Sequence, residues 1–237
     1  FGEEEQSIKS DEIIQSEQNA RKAIQEHVNG PDKQRERLML VDQTSGEKIG
    51  DFLGTVLGVD PDEEAIKKLR DPKSQIWTIH NHPSGKSFSG EDVGTFAMWP
   101  GERSMEVISA SGSRYRMTRG LKYPDTLKKV QKLVSDEYDS VKDVLRRKVY
   151  KGITLDIDKQ LDHFVMLRLM KKGIINYEFD LASTDQEGVS RLELQSEPSK
   201  VSRSPFRNRK SLPFGVSKDG CYFATCERDD EGRCIGW

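Results

Sequence analysis

The chain has 237 residues and a formal net charge of −2, with 33% charged and 34% hydrophobic residues. This length allows one medium domain with additions or two small domains, and the nearly balanced charge gives no general attraction to nucleic acid. No run approaches about 18 apolar residues, so no membrane span is expected, and no signal peptide is visible. Because residue 1 is Phe rather than Met, we interpret the chain as a fragment of a longer protein or a processed product.

The first half of the chain predicts an N-terminal helix (1–30) followed by a compact α/β domain. Residues 3–29 contain no Pro or Gly and only scattered apolar side chains, which predicts a long, mostly solvated helix ending at Gly30-Pro31. Alternating apolar runs, turn residues and a helix start at Asp60-Pro61 define the next elements. These are strands at 36–43 and 48–56, a helix at 60–70, a strand at 75–79, a helix at 89–98, and strands at 104–110 and 114–118. This order predicts an α/β domain over residues 31–120.

The second half predicts a helical extension and then a tail. Apolar residues near 3.6 spacing predict helices, which are followed by a short strand, so that residues 121–182 form a helical extension. The helices are expected at 124–150 and 157–172, and the strand at 174–181. Residues 183–237 are expected to form a poorly ordered tail, ending in a small hairpin over 220–237. Its basic, Ser-rich stretch 199–213 predicts a solvated linker, with nucleic-acid binding as the less favoured alternative.

The cysteines lie close to the C-terminus and are three in number: Cys221, Cys226 and Cys234. An odd number argues against a closed disulfide framework. We expect free thiols in a reducing compartment, and the pattern leaves open a local disulfide or a metal clip.

Two of the four histidines stand two positions apart, directly after the predicted strand at 75–79. Strand side chains repeat every two residues, so His80 and His82 are expected to share one face. Ser89 is placed to cap the next helix, which puts Asp92 in its first turn, facing back toward the strand end. Two imidazoles and a carboxylate with an open fourth position are typical of a catalytic zinc site.

A hydrolytic zinc also needs a nearby carboxylate that accepts a proton from water. The carboxylate is expected on a neighbouring strand, where the candidates are Glu36, Glu47 and Asp51. Spacing alone does not choose among them. The His-Glu-x-x-His pattern is absent, and the Ser84–Ser87 stretch lacks the glycine spacing of a phosphate-binding loop.

The run His80-x-His82-Pro83 with Ser89-x-x-Asp92 resembles the signature of the JAMM (MPN, or JAB) metalloproteases. The resemblance covers roughly residues 33–120 and implies a three-layer domain with a central mixed sheet and flanking helices. It also implies that His80, His82 and Asp92 bind zinc, that Ser89 supports the oxyanion and that Glu36 is the acid and base. Glu36 is favoured because 36–42 is similar to the glutamate-led strand of the family.

The spacer between Pro83 and Ser89 has five residues, one fewer than is usual in the family. This short form is most similar to JAMM-like domains of phage head-morphogenesis (minor capsid) proteins and bacterial polymorphic toxins. The resemblance therefore implies a zinc-dependent hydrolase of peptide or isopeptide bonds in phage head maturation or toxin action. Its expected partners are a protein or peptide substrate and phage structural proteins, and its expected location is cytoplasmic or in a virion.

Two other functions remain open at this point. The first is a catalytically inert JAMM-fold structural module of a phage virion or secreted toxin, which binds partners through its helices and tail. The second is a nucleic-acid-associated factor that works through residues 199–213.

Overall fold

A computed structural model describes residues 11–56, 58–150, 157–190, 227–228 and 234–236. At its centre is a six-stranded mixed sheet with the strand order β2-β1-β3-β4-β5-β6. Neighbouring strands are antiparallel, except for β3 and β4, which run parallel and are linked through a helix. The strands are β1 (Arg37–Asp42), β2 (Lys48–Leu53), β3 (Ile76–His82), β4 (Glu102–Ser109), β5 (Arg114–Arg119) and β6 (Ile175–Asp180). The expected α/β class is confirmed.

Helices cover both faces of this sheet. They are α1 (Asp11–Asn29), α2 (Glu63–Arg70), α3 (Gly90–Met98), α4 (Leu127–Tyr150), α5 (Ile157–Lys171) and α6 (Ser183–Ser190). The alternation along β3 shows how the layers divide. Trp77 and Ile79 pack in one hydrophobic cluster with α1, whereas Ile76 packs on the other face with α2. Helices α3, α4 and α5 share a third cluster with β4, β5 and β6. Within the described ranges, no helix is long and apolar enough to cross a bilayer.

Most residues of the N-terminal helix are at least partly exposed, in keeping with the prediction of a mostly solvated helix, but the helix is docked on the sheet. One stripe of α1 is buried against the sheet, where Ala20, Ile24 and Val28 pack with Met39, Trp77 and other apolar residues. A polar residue also lies in this stripe: the Glu17 carboxylate accepts a hydrogen bond from Gln43 Nε2 at 2.8 Å. Next to it, Arg21 forms an ion pair with Glu106 of β4, with Nε and Oε1 2.9 Å apart. Helix α1 is therefore a layer of the domain, and residues 1–10 lie outside the described part.

The expected boundary at residue 120 falls between two strands that pair with each other. β5 and β6 are antiparallel over six residue pairs, from Arg114↔Asp180 to Arg119↔Ile175. The hydrophobic cluster on this side of the sheet includes Val107 and Met117 from the α/β domain and also residues of α4, α5 and β6. The helical extension therefore shares the sheet and the core of the α/β domain.

Several local predictions differ from the structure by a few residues. β2 ends at Leu53 rather than at residue 56, and β3 continues to His82, so that both histidines are strand residues.

The tail is expected to lack order from about residue 183, but α6 occupies Ser183–Ser190. The stretch 199–213, Cys221 and Cys226 lie outside the described residues. The hairpin expected near the C-terminus is present where the chain is described, because Glu227–Arg228 pairs with Cys234–Gly236.

Candidate metal centre

The structure brings His80, His82 and Asp92 together at the end of β3 and the start of α3. One ligand atom from each residue lies within 4.8 Å of the other two. His80 Nε2 is 3.2 Å from Asp92 Oδ1, His82 Nε2 is 3.4 Å from Asp92 Oδ2, and the two Nε2 atoms are 3.0 Å apart. Both histidines are buried. This group could hold a metal ion.

The first turn of α3 fixes the Asp92 carboxylate. Ser89 is the N-cap, and its backbone N–H donates to Asp92 Oδ2 at 2.6 Å. The Asp92 N–H in turn donates to Ser89 Oγ at 3.1 Å, which completes a capping box. The Ser89 hydroxyl also donates to Asp92 Oδ2 at 2.7 Å. Ser89, which the resemblance assigns to the oxyanion, thus caps the helix and orients the Asp92 carboxylate in this structure.

Backbone carbonyls orient the His82 ring from the other side. His82 Nδ1 lies 2.9 Å from the Ser87 carbonyl oxygen and 3.3 Å from that of Lys86. A carbonyl only accepts, so Nδ1 carries the hydrogen and Nε2 points to Asp92 and His80. A metal-binding histidine is commonly held in this way, with its second nitrogen donating to a carbonyl.

The charges in the site are strongly coupled. Burial by itself lowers the pKa of His82, but the charge and hydrogen bond of Asp92, the charge of Glu36 and the Ser87 carbonyl raise it to about 9. Burial raises the pKa of Asp92, yet the two histidines hold it well below its usual range. The site therefore keeps Asp92 ionised, as a metal ligand must be.

Among the three candidate carboxylates, Glu36 is the one directed to this site. In the β1–β3 pairing, Leu38 lies opposite His80, and residues two positions apart on a strand share a face. Glu36 precedes β1 by one residue and therefore falls on the face of His80 and His82. Burial raises the pKa of Glu36, both histidines oppose this rise, and the charge of Asp92 adds to it.

The other two candidates lie elsewhere. Asp51 pairs with Met39, which places it on the opposite face of the sheet from His80. It forms a bidentate ion pair with Arg37, with both N–O distances 2.8 Å, and a hydrogen bond from this guanidinium lowers the pKa of Asp51. Glu47 is in the β1–β2 turn, is 65% exposed and lies 3.8 Å from Lys68 Nζ.

Two residues near the centre have no site role in the sequence prediction. Asn81 is fully buried between the two histidines, with its side chain on the other face of β3, where it bonds to the backbone beside Glu36. Glu91 adds to the rise in the pKa of Glu36. A polar residue at the inward position of an apolar strand, as at Asn81, is the signal that could have identified it.

The donor set suits zinc. Two imidazole nitrogens and one carboxylate oxygen are ligands that Zn²⁺ accepts, and ligands about 2.1 Å from a tetrahedral ion lie about 3.4 Å apart. The separations between the three groups, 3.0, 3.2 and 3.4 Å, are close to this value.

No family model, no curated protein sequence and no solved structure matches the chain.

Proposed function

We propose that this chain is a zinc-dependent metallopeptidase of the JAMM type that cleaves a peptide or isopeptide bond. One observation carries the proposal: the ligand atoms of His80, His82 and Asp92 converge, and Glu36 is on the same face of the sheet. This is the residue set that the sequence resemblance implies. Metal binding and proton transfer fall to different residues: His80, His82 and Asp92 suit the ion, and the partly buried carboxylate of Glu36 suits proton transfer.

Each residue has a defined part in this mechanism. A bound zinc ion would supply a Lewis acid and lower the pKa of a water at its open position. Glu36 accepts the proton from the attacking water and then passes it to the leaving amine. Because burial raises the pKa of Glu36, this carboxylate is a stronger base than an exposed one. Ser89 contributes by holding Asp92 in place.

The test compares the wild type with Glu36→Gln. Purified protein is analysed for zinc and then incubated with a peptide library and with isopeptide-linked substrates, and the products are identified by mass spectrometry. We expect stoichiometric zinc in both proteins and a cleavage rate that is about 10²–10⁴-fold lower in the variant than in the wild type. Asp51→Asn is the matched control, because Asp51 lies on the opposite face of the sheet. A wild-type protein that takes up no zinc would rule out the proposal.

An inert structural module is the second candidate, and one observation favours it. The Ser89 hydroxyl is bonded to Asp92, so the oxyanion role implied by the resemblance has no support from this contact. An inert module predicts that a partner, such as a phage structural protein, binds equally well to the wild type, to Glu36→Gln and to chelator-treated protein. Cleavage of that partner by the wild type alone would reject the inert module.

A further inference from the structure

The loop that links the ligands of the metal centre is anchored in the core of the helical extension. We call residues 83–89 the site loop. Its carbonyl groups at Lys86 and Ser87 accept from His82 Nδ1, so the position of the loop sets the direction of His82 Nε2. Ser87 and Phe88 are almost completely buried. The residues that pack around Phe88 therefore also fix the loop carbonyls that bond to His82, a proposed zinc ligand.

Phe88 packs among side chains from the second half of the chain. Its ring meets Tyr177 of β6 edge to face, with ring centroids 6.2 Å apart and planes at 63°. The Tyr177 hydroxyl is 2.8 Å from Nδ1 of His163 on α5, and burial lowers the pKa of this histidine to about 4, which keeps it neutral. The cluster around Phe88 also contains apolar residues of α4, including Val134. The site loop is thus packed through Phe88 against helices α4 and α5 and strand β6.

A second contact connects the same helices to the other end of the metal centre. The Tyr138 hydroxyl of α4 donates to Asp162 Oδ1 of α5 at 2.6 Å. Burial raises the pKa of Tyr138 well above its usual range and the backbone of Gly90, the first residue of α3, opposes this rise, which places the hydroxyl close to the start of α3, a helix that packs on α4. Since Asp92 lies in this first turn, Tyr138 connects the α4–α5 pair to a second proposed ligand. Asp162 is buried, and its charge is close enough to interact with those of Lys86 and His82.

We propose that α4, α5 and β6 form a brace that orients the zinc ligands, with Phe88 and Tyr138 as its positioning residues. Phe88 acts on His82 through the site loop, and Tyr138 acts on Asp92 through the start of α3. The helical extension is then a working part of the metal centre rather than an appendage for partner binding. The proposal rests on the proposed zinc site, but it concerns affinity for the ion and is independent of hydrolysis.

The test measures zinc affinity in the full chain by competition with a chromophoric chelator. We expect Tyr138→Phe and Phe88→Leu each to raise the zinc dissociation constant about tenfold, as is usual when a group that orients a ligand is removed. Tyr123→Phe is the chemically matched control, because the ring contacts of Tyr123 are with Phe96 and Arg119, neither of which belongs to the site loop or to the proposed ligands. We expect this control to bind zinc like the wild type.

A second control distinguishes a specific loss of zinc affinity from a general loss of stability. Ile24→Ala removes a buried side chain under α1, on the other face of the sheet, and lowers stability without touching the brace. It is expected to lower the melting temperature and to leave zinc affinity unchanged. Wild-type affinity in both Tyr138→Phe and Phe88→Leu would overturn the brace alone. A wild-type chain that binds no zinc would overturn the proposed function and the brace together.

Discussion

Asn81 holds the backbone on both sides of Glu36. Its Oδ1 accepts from the Arg37 N–H at 2.7 Å, and its Nδ2 donates to the Arg35 carbonyl at 3.0 Å. Glu36 itself is paired on the opposite edge, where its N–H donates to the Thr55 carbonyl at 2.7 Å. The proposed base thus lies directly before β1, on a short segment whose backbone is bonded to β3 on one side and to the residues after β2 on the other. The Asn81 amide, between two proposed zinc ligands, provides the bonds on the β3 side.

This relationship predicts the effect of Asn81→Ala. The substitution leaves the Arg37 N–H without its partner, while the Arg35 carbonyl keeps its contact with His27 Nε2 at 2.8 Å. We therefore expect the free energy of unfolding to fall by about 2 kcal/mol. Zinc content should not change, since no proposed ligand is altered. Chemical denaturation and metal analysis measure the two quantities. Asn176→Ala is the control, because this exposed amide bonds to Thr118 and Arg119, and its loss should cost less than about 0.5 kcal/mol. Equal losses in the two variants would contradict the assigned role.

Zinc should stabilise the folded chain through the three-residue group. A ligand that binds only the folded state at 100 times its dissociation constant adds about 2.7 kcal/mol, so zinc should raise the melting temperature and a chelator should reverse the rise. In His82→Ala and Asp92→Asn this rise should disappear. Scanning fluorimetry with and without zinc makes the comparison. A rise of wild-type size in both variants would place the zinc elsewhere, for example on the cysteines of the tail.

Glu102 should make stability fall as the pH rises. Glu102 is fully buried, and its Oε1 accepts a hydrogen bond from the Thr78 hydroxyl. Burial raises the pKa of Glu102 to about 8, against the opposing effects of Thr78 and Arg119. The folded-state pKa lies above that of the unfolded chain, so the stability associated with this group is fully present below pH ~4.5 and is lost as the pH rises to about 8. Glu102→Gln removes this titration. We expect the variant to exceed the wild type in stability at pH 8 by on the order of 4 kcal/mol and to lose that advantage near pH 4.5.

Urea denaturation at several pH values checks this prediction. The quantity of interest is the slope of the free energy of unfolding against pH, which should be smaller in Glu102→Gln than in the wild type between pH ~4.5 and ~8. Parallel slopes in the two proteins would mean that the Glu102 carboxyl is ionised in the folded state.

Two isoleucines of α1 test whether this helix is a packed layer. Ile24 is fully buried against the sheet, whereas Ile14 on the same helix is 41% exposed. Ile24→Ala should lower the free energy of unfolding by about 2–5 kcal/mol, because the neighbouring residues cannot fully close the cavity. Ile14→Ala should cost less than about 1 kcal/mol, because part of that side chain is already in water. Similar small losses in both variants would indicate that α1 does not stay docked in solution.

Local sequence patterns were sufficient for most of the elements and for the proposed ligands. The two-residue spacing of His80 and His82 on an apolar strand, followed by a helix cap at Ser89, requires only short-range geometry. The choice of Glu36 over Asp51 depends on strand register, which spacing does not give. A shift of one residue would place Asp51 on the face of the histidines.

Tertiary association explains two features of the structure that were not predicted from the sequence. The buried stripe of α1 includes Glu17, so its apolar pattern is interrupted and resembles that of a solvated helix. Local sequence patterns do not predict the Arg21–Glu106 ion pair, because the two residues are far apart in the chain. The pairing of β6 with β5 is also a long-range contact. Because helices α4 and α5 separate the two strands in the chain, the sequence order does not indicate that they belong to one sheet.

The proposed zinc ligands all lie within residues 80–92, in one strand–loop–helix unit, whereas Glu36 reaches the site only through the pairing of β1 with β3. Contacts that are close in sequence form early and at low entropic cost, and distant ones form later. On the proposed function, the three residues that would bind the ion and the carboxylate that would activate water therefore come together at different stages of folding. A chain in which β1 has not yet paired with β3 would contain the three proposed ligands in one local unit but would lack Glu36 at the site, so the proposed hydrolysis would require the complete sheet.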